Sequence, residues 1–179
     1  YKELITGISS FGYQISSGDT MVKFNSAIDF HSSKSTEGVN MIFAVETDTT
    51  VSMKPLVSTD PVAKTRQLIF QDDAKNLYLT DNSGNILWKQ PIDGEIMGDI
   101  FEIDLFKNNT RQFLFNTEEY LYLVDTKGSP VGNYPIRLPA VATNGISVFD
   151  FDKNKDFKIY IACSNRQVYA YQPSGKPLP

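Results

Sequence analysis

Short runs of Val, Ile, Leu, Phe and Tyr, separated by clusters of Asp, Asn, Ser, Gly and Pro, recur along residues 42–179, and no stretch sustains the ~3.6-residue apolar period of a helix. Runs of this kind bounded by turn residues read as strands. Strands are expected at about 67–71, 76–81 and from 86 onward, then at about 100–104, 112–116, 120–125 and 130–134, and finally at about 146–150, 157–163 and 167–172. Asp81-Asn-Ser-Gly84 supplies residues that tolerate tight and left-handed turns. In Leu77-Tyr78-Leu79 and Leu121-Tyr122-Leu123 the leucines share one face and the tyrosine takes the other, so both faces of these strands need covering.

The pattern is periodic. Lys64-Thr-Arg-Gln-Leu-Ile-Phe70 returns 45 residues later as Asn109-Thr-Arg-Gln-Phe-Leu-Phe115. Each copy leads into a similar train, Leu77-Tyr-Leu-Thr-Asp81 with Gly84, Leu121-Tyr-Leu-Val-Asp125 with Gly128, and more loosely Val168-Tyr-Ala-Tyr171 with Gly175. A period of that length marks a repeat architecture, and small sheets covered on both faces must stack on their neighbours. The fold class expected is therefore all-β, a β-propeller-like array of about four small antiparallel blades. The units read as a divergent one at 1–53, complete ones at 54–98 and 99–144, and an incomplete one at 145–179 whose fourth strand is missing. Four units fit a closed ring, while the missing strand favours an open fragment of a larger propeller.

The N-terminal unit is the least regular. Phe11-Gly-Tyr-Gln-Ile15 and Met21-Val-Lys-Phe24 alternate in strand fashion, and His31-Ser-Ser-Lys-Ser-Thr-Glu-Gly38 has the composition of a loop. A start at Tyr1 without methionine reads as a piece excised from something longer, with any targeting segment removed.

Composition narrows the partners. Twelve Phe and nine Tyr agree with sheets, and a net charge of −4 without a basic run offers nothing to a phosphate backbone, so no nucleic-acid partner is expected. No apolar stretch reaches the ~20 residues of a membrane-crossing helix. Cys163 lies in the apolar run Ile159-Tyr-Ile-Ala-Cys163 and reads as a buried structural residue. Open blade edges make self-association a further expectation.

Certain segments carry a family resemblance. Tyr78-Leu-Thr-Asp-Asn-Ser-Gly-Asn-Ile-Leu-Trp88 resembles a blade of the quinoprotein-like (PQQ-like) propellers, one residue short in its spacing. Gly128-Ser-Pro-Val-Gly-Asn-Tyr-Pro135, followed by Val148-Phe-Asp-Phe-Asp-Lys-Asn-Lys-Asp156 and Ile159-Tyr-Ile161, resembles an FG-GAP or VCBS blade. Together, residues 42–179 are similar to the propeller part of long envelope lipoproteins of Bacteroidetes. The resemblance implies a non-catalytic domain outside the cytoplasm, in the cell envelope, with a protein or glycan partner that it does not name.

Candidate chemistry is sparse. Asp150, Asp152, Asn154 and Asp156 place oxygens at alternate positions of a tight loop, and the FG-GAP resemblance implies Ca²⁺ there. Lys155 stands where that pattern has glycine, and Lys158 where it has a closing carboxylate, so the residues themselves favour a turn held by side chain to backbone bonds, with no cofactor. Asp104 aligns with Asp150 in the repeat and is expected to serve the same turn. Asp99, Glu102 and Asp104 read as paired acids for hydrolysis, His31 as a metal ligand and Asn108-Asn-Thr110 as a glycosylation sequon less well than as solvated or structural residues. Trp88 reads as packing between units. For ligand contact at the mouth of an array, the residues flanking the inner strands are Lys54, Asp99 and Asn144. The function expected is a non-catalytic binding or scaffolding module; the alternatives are a fragment of a quinoprotein-like or polysaccharide-acting enzyme, or a structural spacer.

Overall fold

The computed structural model describes residues 8–18, 21–30, 44–60 and 62–178, and it divides into two compact units, Tyr1–Ala44 and Val45–Pro179. Among the described residues there is no helix. In the first unit, β1 (Ile8–Gly18) and β2 (Met21–Phe30) form one antiparallel hairpin, in register from Gly18 opposite Met21 to Ile8 opposite Phe30, with an irregularity between Ile8 and Ser10. The expected strands at Phe11–Ile15 and Met21–Phe24 fall inside it. The expected loop around His31 lies outside the described residues.

The second unit holds three antiparallel sheets, each a meander of consecutive strands. The first comprises β3 (Leu56–Thr59), β4 (Arg66–Gln71), β5 (Asn76–Thr80) and β6 (Ile86–Pro91). The second comprises β7 (Phe101–Ile103), β8 (Gln112–Asn116), β9 (Tyr120–Asp125) and β10 (Ile136–Arg137). The third has only β11 (Ser147–Phe149), β12 (Lys158–Ala162) and β13 (Val168–Tyr171). These are open sheets, not a closed barrel, one in each of the expected units 54–98, 99–144 and 145–179. The strand expected at 130–134 is displaced. After a bridge from Pro130 to Val124 the chain turns through Gly132 at φ +60°, and pairing resumes only at Ile136. Glycine takes that left-handed conformation without a Cβ clash, and Pro135 has no N–H to extend the ladder.

The alternation of side chains explains how the sheets pack. Ile69, Leu77 and Leu79 share one face of the first sheet and are fully buried against Phe113, Phe115, Tyr122 and Val124 of the second. The opposite face of the second sheet, with Leu114, Leu121 and Leu123, packs on Ile159, Ile161 and Tyr171 of the third. Leucines and tyrosine on neighbouring positions of one strand therefore serve two different interfaces. Phe115 stacks on Tyr122 with ring centroids 5.2 Å apart, as Phe70 stacks on Tyr78 at 5.3 Å, so the repeat extends to side-chain pairs. Burying a side chain of this size is worth ~1.5–3 kcal/mol, and these two interfaces are the main store of cohesion.

Candidate functional site

Polar residues bracket the apolar core of the second strand in the first and second sheets, and two of them tie one sheet to the next. Gln71, fully buried at the end of β4, accepts a hydrogen bond from the Ile96 N–H at 2.9 Å and donates to the Gly94 carbonyl at 3.0 Å. Asn116, equally buried at the end of β8, accepts from the Ile146 N–H at 2.9 Å and donates to the Asn144 carbonyl at 3.2 Å. In both cases the amide grips the segment that enters the following sheet. A buried amide satisfied on both its oxygen and its nitrogen holds a fixed geometry, because breaking either bond strands a polar group away from water.

A second tie joins the outer strand of one sheet to a turn of the next. Trp88 donates through Nε1 to the Thr126 carbonyl at 2.9 Å and lies over Gly128, where a Cβ would come within 2.8 Å of the indole. Tyr134 donates to the Pro173 carbonyl at 3.0 Å, with Ile136 over Gly175. Each acceptor is one residue, and each glycine three residues, beyond the head of its turn, Asp125 or Gln172. The expected role of Trp88 between units matches this placement.

Gripping the connecting segments shapes a cleft of about 710 Å³ lined by residues 93–98, 117–119 and 143–145. Its walls are the link from the first sheet to the second, the hairpin turn between β8 and β9, and the link from the second sheet to the third. Close backbone approach makes this geometry: at Gly145 a Cβ would sit 2.5 Å from the Met97 carbonyl oxygen, and at Gly94, φ +97°, it would meet Thr117 at 3.2 Å. Four carboxylates, Asp93, Glu95, Glu118 and Glu119, line the cleft and no Lys or Arg does. At its rim Glu95 pairs with Lys75 and Glu119 with Arg137, each at 3.3 Å. Of the residues proposed from sequence, Asn144 lines this cleft. Asp99 is exposed one position beyond it, and Lys54, also exposed, precedes β3 outside the lining.

The acidic ladder has structural work in the turn between β11 and β12. The Asp150 carboxylate accepts the N–H groups of Asn154 at 3.2 Å and Lys155 at 3.0 Å; Asn154 Oδ1 accepts the Asp156 N–H at 2.9 Å, and Asp156 pairs with Lys158 at 3.0 Å. Asp152 is exposed. Lys155 takes the left-handed conformation, φ 64°, at the position where the calcium-binding pattern has glycine, and its ammonium bonds to Asp104 of the preceding sheet. Asp104 in turn accepts from Asn108 at 3.1 Å and Asn109 at 2.9 Å, the same turn role as Asp150. Burial opposes the ionised Asp104, but the Lys155 ammonium and those two N–H groups outweigh it and hold its carboxyl below the ordinary carboxylate range. Among the described residues no group of three or more His, Cys, Asp and Glu side chains is arranged to hold a metal ion. Thr110 and Asn108, of the sequon, bond to each other, and His31 lies outside the described residues.

Sequence reasoning missed Gln71, Asn116 and the acids of the cleft. The two amides did leave a signal, because Gln67-Leu-Ile-Phe-Gln71 and Gln112-Phe-Leu-Phe-Asn116 place polar residues at matching ends of an otherwise apolar strand. Glu118 and Glu119 left none, since a charged hairpin turn is ordinary. Cys163 is buried, as expected, and burial pushes its thiol up. Compared with known proteins, the chain matches no family model, and no curated protein matches it either.

Proposed function

We propose that this chain is a non-catalytic binding module built of propeller-like blades, working outside the cytoplasm in the cell envelope. The observation that carries the binding role is the cleft of about 710 Å³ where two successive links and a hairpin turn converge. Propellers and related stacks bind ligands where the loops between blades meet, and a rigid scaffold beneath such loops keeps the site formed in advance. The stacking of three like sheets, each held to the next by a buried amide, supports the propeller-like reading. The envelope assignment rests on the resemblance of residues 42–179 alone.

Charge selects the ligand class. Four carboxylates line the cleft, two of them paired at its rim with Lys75 and Arg137, and the remaining acids favour a polypeptide segment carrying Lys or Arg, attracted over roughly a Debye length, ~8–10 Å at ordinary salt. Octalysine is a suitable probe in an amide NMR titration. The peptide should shift the resonances of Gly94, Thr117 and Gly145 and lose affinity steeply as salt is raised. Shifts at these amides with a neutral oligosaccharide instead would keep the binding role and change the ligand class. Silence of these amides to every ligand that the protein retains would remove the cleft from the account, and turnover of a bound glycan would replace the reading with an enzyme.

A further inference from the structure

The contact between the first and second sheets is not apolar throughout. Toward the turns that precede β4 and β8 it is made by Ser58, Gln67 and Arg111. Strand register sets Ser58 opposite Gln67, on the face that carries Leu56 and Ile69 and packs on the second sheet. Arg111, just before β8, reaches across the junction and donates through Nη2 to Gln67 Oε1 and through Nη1 to Glu102 at 3.4 Å. Its guanidinium carbon lies 5.5 Å from the centre of the Phe113 ring, and the Gln67 amide donates in turn to Asp60 at 3.4 Å. Ser58 and Arg111 are only 2% and 7% exposed, yet Ser58 Oγ and Arg111 Nε have no hydrogen-bond partner among the described residues. The second junction fills the same place differently. By register Ile103 takes the position of Ser58 and Phe157 that of Arg111, and both pack into the apolar core there. The two polar residues of the first junction therefore stand together in place of an apolar pair, and serine gives up volume that isoleucine fills.

We infer that a single water molecule is bound at the first junction, accepting from the Arg111 Nε–H and hydrogen-bonded to Ser58 Oγ. Buried polar atoms are almost always paired with protein or with ordered water, and a buried water needs polar partners and a little room, both of which this place supplies. Charge selects water over an anion, because Asp60 and Glu102 both act on the guanidinium and together exceed its charge. The water joins β3 of the first sheet to the residue that leads into β8 of the second. It ties the two sheets at the end of β4 away from Gln71, whose amide grips the link at the other end.

A high-resolution crystal structure of the chain tests this. An ordered solvent peak is expected within ~2.7–3.2 Å of both Arg111 Nε and Ser58 Oγ, and bromide soaked into the crystal should give no anomalous signal there. Ser58→Ile/Arg111→Phe, which copies the pair at the second junction, should keep the circular dichroism spectrum of the parent and lose the peak. In solution, magnetic relaxation dispersion of the solvent should then count one long-lived water fewer than in the parent. The parent structure decides by itself if the variant does not fold. A direct bond from Nε to Oγ, an anion at the site, or no peak beside these two atoms would overturn the inference, as would an unchanged count of long-lived waters in the folded variant.

Discussion

Asn116 shows how much one buried side chain decides. Its amide takes the Ile146 N–H and gives to the Asn144 carbonyl, while its own backbone carbonyl accepts from Met97, so three segments meet at one residue. Asn116→Ala leaves the Ile146 N–H buried without its partner. An orphaned buried amide costs ~1–3 kcal/mol and the lost bonds add to it, so the variant should lose about 2–4 kcal/mol and melt roughly 5–15 °C lower. Gln71→Ala should behave alike. The third member of the series already carries alanine, half-buried, and Ala162→Ser should leave the melting temperature essentially unchanged. Thermal melts of the three variants read the contrast directly.

At the level of strands and turns, glycines mark where sheets touch. Gly128 and Gly132 both have positive φ, +80° and +60°, so alanine is strained at either. Only Gly128 lies under an aromatic ring, its missing Cβ 2.8 Å from Trp88, while nothing comes within 4 Å of a Cβ at Gly132. Gly128→Ala should therefore cost more than Gly132→Ala by about 1–3 kcal/mol, the usual cost of overpacking, as urea unfolding would measure. Most of these elements were legible in the sequence because alternation and turn residues are local: β8 and β9 begin and end at the residues expected, and β4, β5, β7, β11, β12 and β13 lie within about a residue or two of them. The strand at 130–134 was not, because apolar Val131 and Tyr134 satisfy the pattern while burying themselves from a turn. The cleft was hidden for a different reason. Its lining comes from three segments that only the stacking of sheets brings together, and of the residues proposed from sequence Asn144 alone belongs to it.

Through the second unit the first sheet packs on the second and the second on the third, and the turns between their strands carry charges that set the pH range of stability. Asp60 is held below its ordinary range by the N–H groups of Ala63 and Val62, and Asp104 is held there against burial by Lys155 and its turn amides. A carboxyl whose folded value lies below its unfolded value of ~3.9 contributes fully above that value and loses its contribution as pH falls through the folded one. Stability should thus be flat from about pH 7 to 5 and decline below about pH 4, less steeply in Asp104→Asn. Tyr134 and Tyr171, raised chiefly by burial, act in the opposite sense: their contribution is complete below the unfolded value of ~10 and is lost as pH rises beyond it. Melting temperature across the pH range would show both limbs.

Neighbouring sheets are separate cooperative layers, and at each junction one buried amide holds the link that enters the next sheet. Amide hydrogen exchange resolved by residue tests it most directly, in the parent chain and in Asn116→Ala. Ile96 and Ile146 should both be strongly protected in the parent, since each N–H is bonded to a buried side-chain oxygen. In Asn116→Ala, Ile146 should lose protection together with Ile159 and Ile161 of the third sheet, while Ile69, Leu79 and Ile96 at the first junction keep theirs. Protection at Ile146 that survives the substitution, or a uniform loss across all three sheets, would contradict the account.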